Sequence, residues 1–412
     1  MRRKELLDYA RQMDREDPLA AFRQEFAIED PDLIYLDGNS LGRLPTRTSA
    51  KLRELVDVQW GDRLVRGWGE HWIGLPQRVG AKIAQLIGAG EDEVLVCDST
   101  SVNFYKLTMA ALEAQAGRDQ ILTDSANFPS DIYLLQGCAK QFGRHLEIVE
   151  PGSVLDALGS RTALLTLSHT SFKSGYVHPM LKLTKAAAEV GAVTLWDLSH
   201  SVGAVPVDLG ACRAELAVGC TYKYLLGGPG APAFLYVRRD LQERLLNPIW
   251  GWFGQKEPFA FGLDYAPADG IRRFMAGTPP ILSLAAVESG VDLILEAGMD
   301  AIRRKSVLQT QFLIDLWEAI LEPIGFTLNS PRDPDFRGSH VSFGHSDAFQ
   351  IDQALIRDMN VVPDFRAPDS IRFGVAPLST TFEEIVHAVG RTEEVVRTGI
   401  YRQYPTLRTG VT

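Results

Sequence analysis

The chain has 412 residues, 45% of them hydrophobic and 23% charged, with a formal net charge of −10. That composition suits a globular protein with room for one large and one smaller domain, and the negative balance argues against nucleic acid as a partner. Four scattered cysteines, Cys97, Cys138, Cys212 and Cys220, with no CxxC pair and no histidine cluster at metal spacing, predict reduced thiols, no disulfide framework and no bound metal.

In chain order, Met1-Arg2-Arg3-Lys4-Glu5-Leu6-Leu7 lacks the apolar core of a secretory signal, and no window approaches the roughly 18 apolar residues of a membrane span. The expectation is a soluble, cytoplasmic protein without membrane contact. Residues 1–44 are expected to pack on a small C-terminal domain. Between Glu93 and Val237, β-branched runs (Val94–Cys97, Ile121–Thr123, Leu146–Val149, Ala163–Leu167, Ala192–Trp196, Leu216–Gly219, Ala233–Val237) alternate with helical stretches such as Val102–Gln115 and Met180–Val190. This alternation predicts an α/β fold with a mainly parallel, doubly wound sheet in a large domain, residues 45–280. A long helical pattern, Ile281–Leu321, follows, with interruptions expected near Gly290 and Gly298. Residues 281–412 would comprise this connecting helix and a small α+β domain: strand His340–Phe343, helix Ala348–Asp358, strand Ser370–Val375 and a final helix. Thr380 and Glu383 have the spacing of a capping box for that helix. Asn329–Pro334 and Pro363–Pro368 read as ordinary surface connections.

The chemistry concentrates at strand ends, where ligands of such sheets gather. Asp197 ends one strand run, and Lys223 stands in Gly219-Cys220-Thr221-Tyr222-Lys223-Tyr224-Leu225-Leu226-Gly227-Gly228. A carboxylate and a lone lysine before a glycine-rich turn suit pyridoxal 5'-phosphate (PLP), which needs an amine for its Schiff base and an acid for its pyridine nitrogen. Each residue has a plainer reading. Lys223 could be a solvated lysine, Asp197 a turn cap, Phe128 a core aromatic and Asp131 a first-turn helix acid. Likewise Thr100 and Ser101 could be simple helix-start residues. No Gly-x-Gly-x-x-Gly follows an early strand and no Gly-x-Ser-x-Gly occurs where a serine hydrolase would need it, which disfavours those two enzyme classes.

With these segments placed, the chain resembles the kynureninases. The resemblance runs through Tyr35-Leu36-Asp37-Gly38-Asn39-Ser40-Leu41-Gly42, Asn127-Phe128-Pro129-Ser130-Asp131, Asp197-Leu198-Ser199-His200 and Thr221-Tyr222-Lys223-Tyr224. It continues in the same order through Gly251-Trp252-Phe253-Gly254, Gly277-Thr278-Pro279-Pro280, Arg337-Gly338-Ser339-His340 and Arg372-Phe373-Gly374. It implies a fold-type-I PLP hydrolase of tryptophan catabolism, a homodimer with active sites at the subunit interface. Such an enzyme cleaves L-kynurenine with water to anthranilate and L-alanine.

The resemblance also implies roles. Lys223 would be the Schiff-base lysine, Asp197 the partner of the pyridine nitrogen and Tyr222 a proton relay. Phe128 would stack on the ring, with Asp131, Ser168 and His200 around it. Thr100, Ser101, Tyr222, Trp252 and Thr278 would hold the phosphate, Thr278 arriving from the partner subunit. Arg372 would grip the substrate α-carboxylate, a surface arginine being the alternative, and Trp68 and Ser40 would line the substrate pocket. Trp68 stands where animal enzymes that prefer 3-hydroxykynurenine tend to carry histidine, which favours plain kynurenine. The rival reading is another fold-type-I enzyme, a cysteine desulfurase or a small-group aminotransferase.

Overall fold

Runs of aliphatic residues with few charges can bury both faces, so they form the interior strands of a helix-covered sheet. The computed structural model describes residues 3–406. Its strands are β1 (Ile34–Tyr35), β2 (Val94–Val96), β3 (Gln120–Asp124), β4 (His145–Val149), β5 (Thr162–Ser168), β6 (Val193–Asp197), β7 (Leu216–Gly219), β8 (Phe234–Val237), β9 (Thr327–Leu328), β10 (His340–Gly344), β11 (Val361–Val362), β12 (Asp364–Arg366) and β13 (Ser370–Gly374). Seven form the large sheet, in the order β2-β8-β7-β6-β5-β3-β4. β3 to β7 pair in parallel, while β8 runs antiparallel to both β7 and β2. The carboxyl ends of β3, β5, β6 and β7 therefore open on one edge, and Asp124, Ser168, Asp197 and Gly219 close those four strands.

A second, antiparallel sheet, β12-β13-β10-β9, has its own core. Leu36, Val341, Phe343, Ile371 and Phe373 pack there with the helix Phe382–Thr398 and with Leu6 and Ala10 of the first helix, Arg3–Glu16. Asp14 of that helix accepts the Phe382 and Glu383 backbone N–H groups at 2.8 and 3.0 Å, satisfying donors that a helix start leaves open. The domain limits expected above reach residues 1–2 and 407–412, which lie outside the described residues.

Three expectations need correction. Gly298, with φ +78, does break the long helical pattern, but Gly290 lies inside the unbroken helix Ile281–Ala297. A Cβ there would collide with the Leu225 carbonyl, so the glycine permits close approach of this helix to the lysine loop. The capping box is formed by Thr381 and Glu384, one residue later than the Thr380–Glu383 spacing suggested. The Thr380 hydroxyl instead accepts the Ala376 N–H at 3.1 Å. Pro363–Pro368 is no plain surface connection, because it contains β12, in which Asp364 is 1% exposed.

Candidate active site

The lysine loop is held by its own backbone. Gly227 N–H donates to the Thr221 carbonyl at 2.9 Å and Leu226 N–H to the Lys223 carbonyl at 3.1 Å, while the Thr221 hydroxyl reaches the Pro232 carbonyl at 2.7 Å. Leu226 at φ +61 and Gly228 at φ +84 complete the turn. Gly42 N–H donates to the Tyr222 carbonyl at 2.9 Å, which brings the N-terminal segment against the loop. Lys223 is thereby buried, its Nζ 3.2 Å from His200 Nε2 and 5.9 and 5.8 Å from the Phe128 and Tyr222 ring centroids.

Burial holds the Lys223 ammonium below its ordinary pKa, and the Arg372 and Arg366 charges push the same way against Cys220 and Asp197. His200 is held far below the usual histidine range by burial and then by the Lys223 charge, so its ring stays neutral and serves Lys223 Nζ as a hydrogen-bond partner at 3.2 Å. Tyr222 is raised, first by the Cys220 sulfur and then by burial, and stays an O–H donor. These are the conditions under which an amine becomes a usable nucleophile and base.

Asp197 closes β6 and accepts the Ser199 N–H and hydroxyl at 2.8 and 2.6 Å. Burial nonetheless raises its carboxyl. Asp131, on the first turn of the helix Pro129–Phe142, is raised well above the carboxylate range by burial and then by the Asp197 charge, and its Oδ2 has no hydrogen-bond partner. Both carboxyls feel the Lys223 charge, and a pyridinium N–H would supply the hydrogen-bond donor that Asp131 Oδ2 lacks. Ser168 donates to the Asn127 side-chain oxygen at 2.7 Å, and that oxygen also accepts the Phe128 N–H at 2.8 Å. Phe128 keeps 37% of its surface exposed, so it stands at the site as an available ring face and not in the core. The residues present fit PLP.

At the neighbouring end of β2 starts the helix Thr100–Ala114, capped by Ser99, whose hydroxyl accepts the Val102 N–H at 3.3 Å. Ser101 is exposed and Thr100 partly so, leaving first-turn donors available to an anion. Beneath them the fully buried Lys106 pairs with Asp98 and donates to the Phe274 carbonyl at 2.7 Å. Trp252 and Thr278 lie on the surface. Trp68 packs against Trp72 and Phe253, with centroids 5.6 and 5.9 Å apart, and Phe253 in turn contacts Trp252. Trp68 and Phe253 belong to the apolar cluster around Phe104, Leu107 and Leu112.

Arg372, on β13, is 1% exposed. Its Nε and Nη2 donate to the two oxygens of Asp364 at 2.5 Å, Nη2 also to the Ser40 hydroxyl at 3.0 Å, and Nη1 to the Phe172 carbonyl. It is no surface arginine. The structure thus brings Lys223, Tyr222, Phe128, Asp131, Asp197, Ser168 and His200 into one centre, and the charge of Arg372, which holds Ser40, acts on Lys223 and His200. Sequence reasoning passed over Asp364, Arg366 and His340. The signal for the first two was present: Asp364-Phe365-Arg366 and Ser370-Ile371-Arg372 alternate on either side of Ala367-Pro368-Asp369, as hairpin strands do.

Fold and site together define a PLP-dependent enzyme of fold type I. A profile of the kynureninase C-terminal domain matches residues 302–392. The kynureninase of Pseudomonas fluorescens is 44% identical over 385 residues, 92% of each chain, and that of Burkholderia mallei strain SAVP1 is 42% identical over 398 residues, 95% of each. The chain belongs to the kynureninase family, whose members are PLP-dependent hydrolases. Among solved structures, the apo cysteine desulfurase of Thermococcus onnurineus NA1 superposes with a TM-score of 0.76 over 94% of this chain and 98% of its own. The cystine C–S lyase C-DES gives 0.77 over 88% and 98%. Both are 19% identical, a likeness of fold alone, so the desulfurase reading yields to the kynureninase one.

Proposed function

We propose that the chain hydrolyses the Cβ–Cγ bond of L-kynurenine, giving anthranilate and L-alanine in tryptophan degradation. One observation carries this reading: end-to-end identity of 42–44% with named kynureninases in a chain whose buried lysine sits between Phe128, His200 and Asp197. When bound, PLP supplies a protonated ring that takes up the electrons released at the substrate's Cα and later gives them back.

This chain's side chains do the rest. Asp197 and the adjoining Asp131 hold the proton on the ring nitrogen, Phe128 covers one ring face, and Ser168 fixes Phe128 through Asn127. Thr100, Ser101, Tyr222 and Trp252 hold the phosphate, with Thr278 of a second copy. Arg372 and Ser40 receive the α-carboxylate, fixing which bond to Cα stands over the ring. Lys223, its neutral amine favoured by burial and held beside His200, removes the Cα proton and returns it nearby. The Tyr222 O–H gives a proton to the γ-carbonyl oxygen as water adds to its carbon and takes one back as the Cβ–Cγ bond breaks. Anthranilate thus leaves with the carboxyl carbon, and the bonding pair stays on Cβ, which is then protonated to alanine. General acid–base assistance of this kind is worth about 10²–10⁴-fold.

The enzyme works as a cytoplasmic homodimer. Trp250, Trp252, Phe259, Phe261 and Leu263 expose 41–102% of their surface in one stretch, and clustered exposed apolar side chains mark contact surfaces. Among the described residues no helix is long and apolar enough to cross a membrane. Residues 1–44, 45–280 and 281–412 serve as N-terminal segment, large domain and connecting helix with small domain. Trp68, behind Phe253, favours kynurenine over 3-hydroxykynurenine. The test is to mix the PLP-loaded protein with L-kynurenine and follow anthranilate fluorescence. Anthranilate with equimolar alanine supports the reading, whereas silence on kynurenine with turnover of cysteine would replace it by a desulfurase.

A further inference from the structure

Around Arg372 the side chains are arranged with an economy the cofactor site lacks. β12 pairs with β13 so that Asp364 stands directly opposite Arg372, and β10 places Ser342 on the other side of it. Arg366, two residues along β12 and so on the same face, also pairs with Asp364 at 2.5 Å. The Asp364 carboxylate is met by these two guanidinium groups and by the Ser40 hydroxyl, at 3.2 Å. This aspartate therefore serves the groups that meet a substrate carboxylate.

The charge count is uneven. Arg366 and Arg372 bring two positive charges against one on Asp364. Below about pH 7 the two other carboxyls in the cluster do not neutralise the excess. Asp37 is pushed up to about 7 by burial and then by the Asp364 charge, and Asp352 is raised well above the carboxylate range by burial. Both have an oxygen without a hydrogen-bond partner. With Asp37 protonated, the balance around Arg372 is positive, the sign that suits a carboxylate.

The geometry says where that carboxylate must go. Asp364 occupies the Nε–Nη2 edge of the Arg372 fork. The edge left for a ligand is Nη1–Nη2, whose present partners are the Phe172 carbonyl and the Ser40 hydroxyl, neutral groups that leave the charge of this edge to a carboxylate. A guanidinium is a rigid planar fork, so fixing one edge fixes the direction of the other.

We propose that Asp364, tied in turn to Arg366, is a positioning residue that sets substrate affinity by aiming the Nη1–Nη2 edge of Arg372 at the α-carboxylate. The proposal rests on the carboxylate-binding role assigned to Arg372 above, and the experiment separates the two. Steady-state kinetics on L-kynurenine are compared with inhibition by kynuramine, the same molecule without its carboxylate, for wild type, Asp364→Asn and Arg372→Lys. In Asp364→Asn the kynurenine KM should rise on the order of 10-fold or more, since small misplacements of a holding group are costly. Its kcat and the kynuramine inhibition constant should move less than about 2-fold, as groups that never meet the altered fork would.

A lowered KM would overturn the proposal by making Asp364 a competitor of the substrate. Equal weakening of kynurenine and kynuramine, or no change in either, would overturn it as well. If Arg372→Lys leaves the discrimination between the two compounds intact, the arginine reading itself falls. Asp364→Glu, which keeps the charge but displaces the fork, should weaken kynurenine selectively too. It replaces the asparagine variant in the comparison if that one does not fold, and the same outcomes then support or overturn the proposal.

Discussion

The two halves of the site solve opposite problems. The Lys223 half is built from loops at the carboxyl ends of a parallel sheet and is left wanting. Its lysine and His200 are forced toward neutrality, and Asp131 keeps an oxygen with no partner. The Arg372 half is built on paired antiparallel strands, and every nitrogen of its central guanidinium is engaged. The difference teaches what each half is for. Groups that must change protonation or bond partners are held in unfavourable surroundings. A group that must only hold its direction is locked in place.

The contrast can be broken most severely at the lysine. Lys223→Ala should lower anthranilate formation on the order of 10³-fold or more, as loss of a nucleophile that is also the base does. It should also abolish the visible absorbance of the PLP-loaded protein, which a spectrum reads directly. Arg372→Lys keeps the charge but not the fork, so kcat/KM should fall on the order of 10²-fold, mostly through KM. Its affinity for PLP, titrated by fluorescence, should stay within about 2-fold, because the arginine belongs to the other half.

A milder change sharpens the cofactor side. Phe128→Ala removes a ring contact worth about 0.5–1.5 kcal/mol beyond its area, so PLP should be held about 2- to 10-fold less tightly, with the kynurenine KM little altered. The smallest effect concerns pH. Asp37 is raised to about 7 by burial and the Asp364 charge, so above that pH it ionises. Its new negative charge then offsets the single positive excess beside Arg372. The kynurenine KM should therefore climb a few-fold as pH rises through about 7, and Asp37→Asn should flatten that climb in a KM–pH profile.

The lysine half was the more legible in sequence, and for a physical reason. In a parallel sheet each strand ends where its aliphatic run stops, so Ser168, Asp197 and the loop after Gly219 could be placed one strand at a time. The arginine half depends on register between strands, which a linear pattern leaves open. Arg372 itself was visible, yet its partner Asp364 was hidden in a proline-flanked segment whose surface-like composition masks a buried edge strand. Two smaller misreadings have the same origin. Gly290 resembles a helix breaker, but what it accommodates is the Leu225 carbonyl of another segment. Adjacent Thr380 and Thr381, followed by Glu383 and Glu384, offer two capping boxes, and Thr380 is drawn away by the Ala376 N–H.

The active centre is defined by which lysine the cofactor joins. Three buried lysines compete by position: Lys106, Lys223 and Lys305. Lys106 and Lys305 are tied to Asp98 and Asp17 respectively, which leaves Lys223, beside neutral His200, to react. Borohydride reduction of the PLP-loaded protein, followed by peptide mapping by mass spectrometry, reads the answer. A pyridoxyl group on the peptide carrying Lys223, and on no other, is the result expected. The same mass on the Lys106 or Lys305 peptide would contradict the assignment of the active centre.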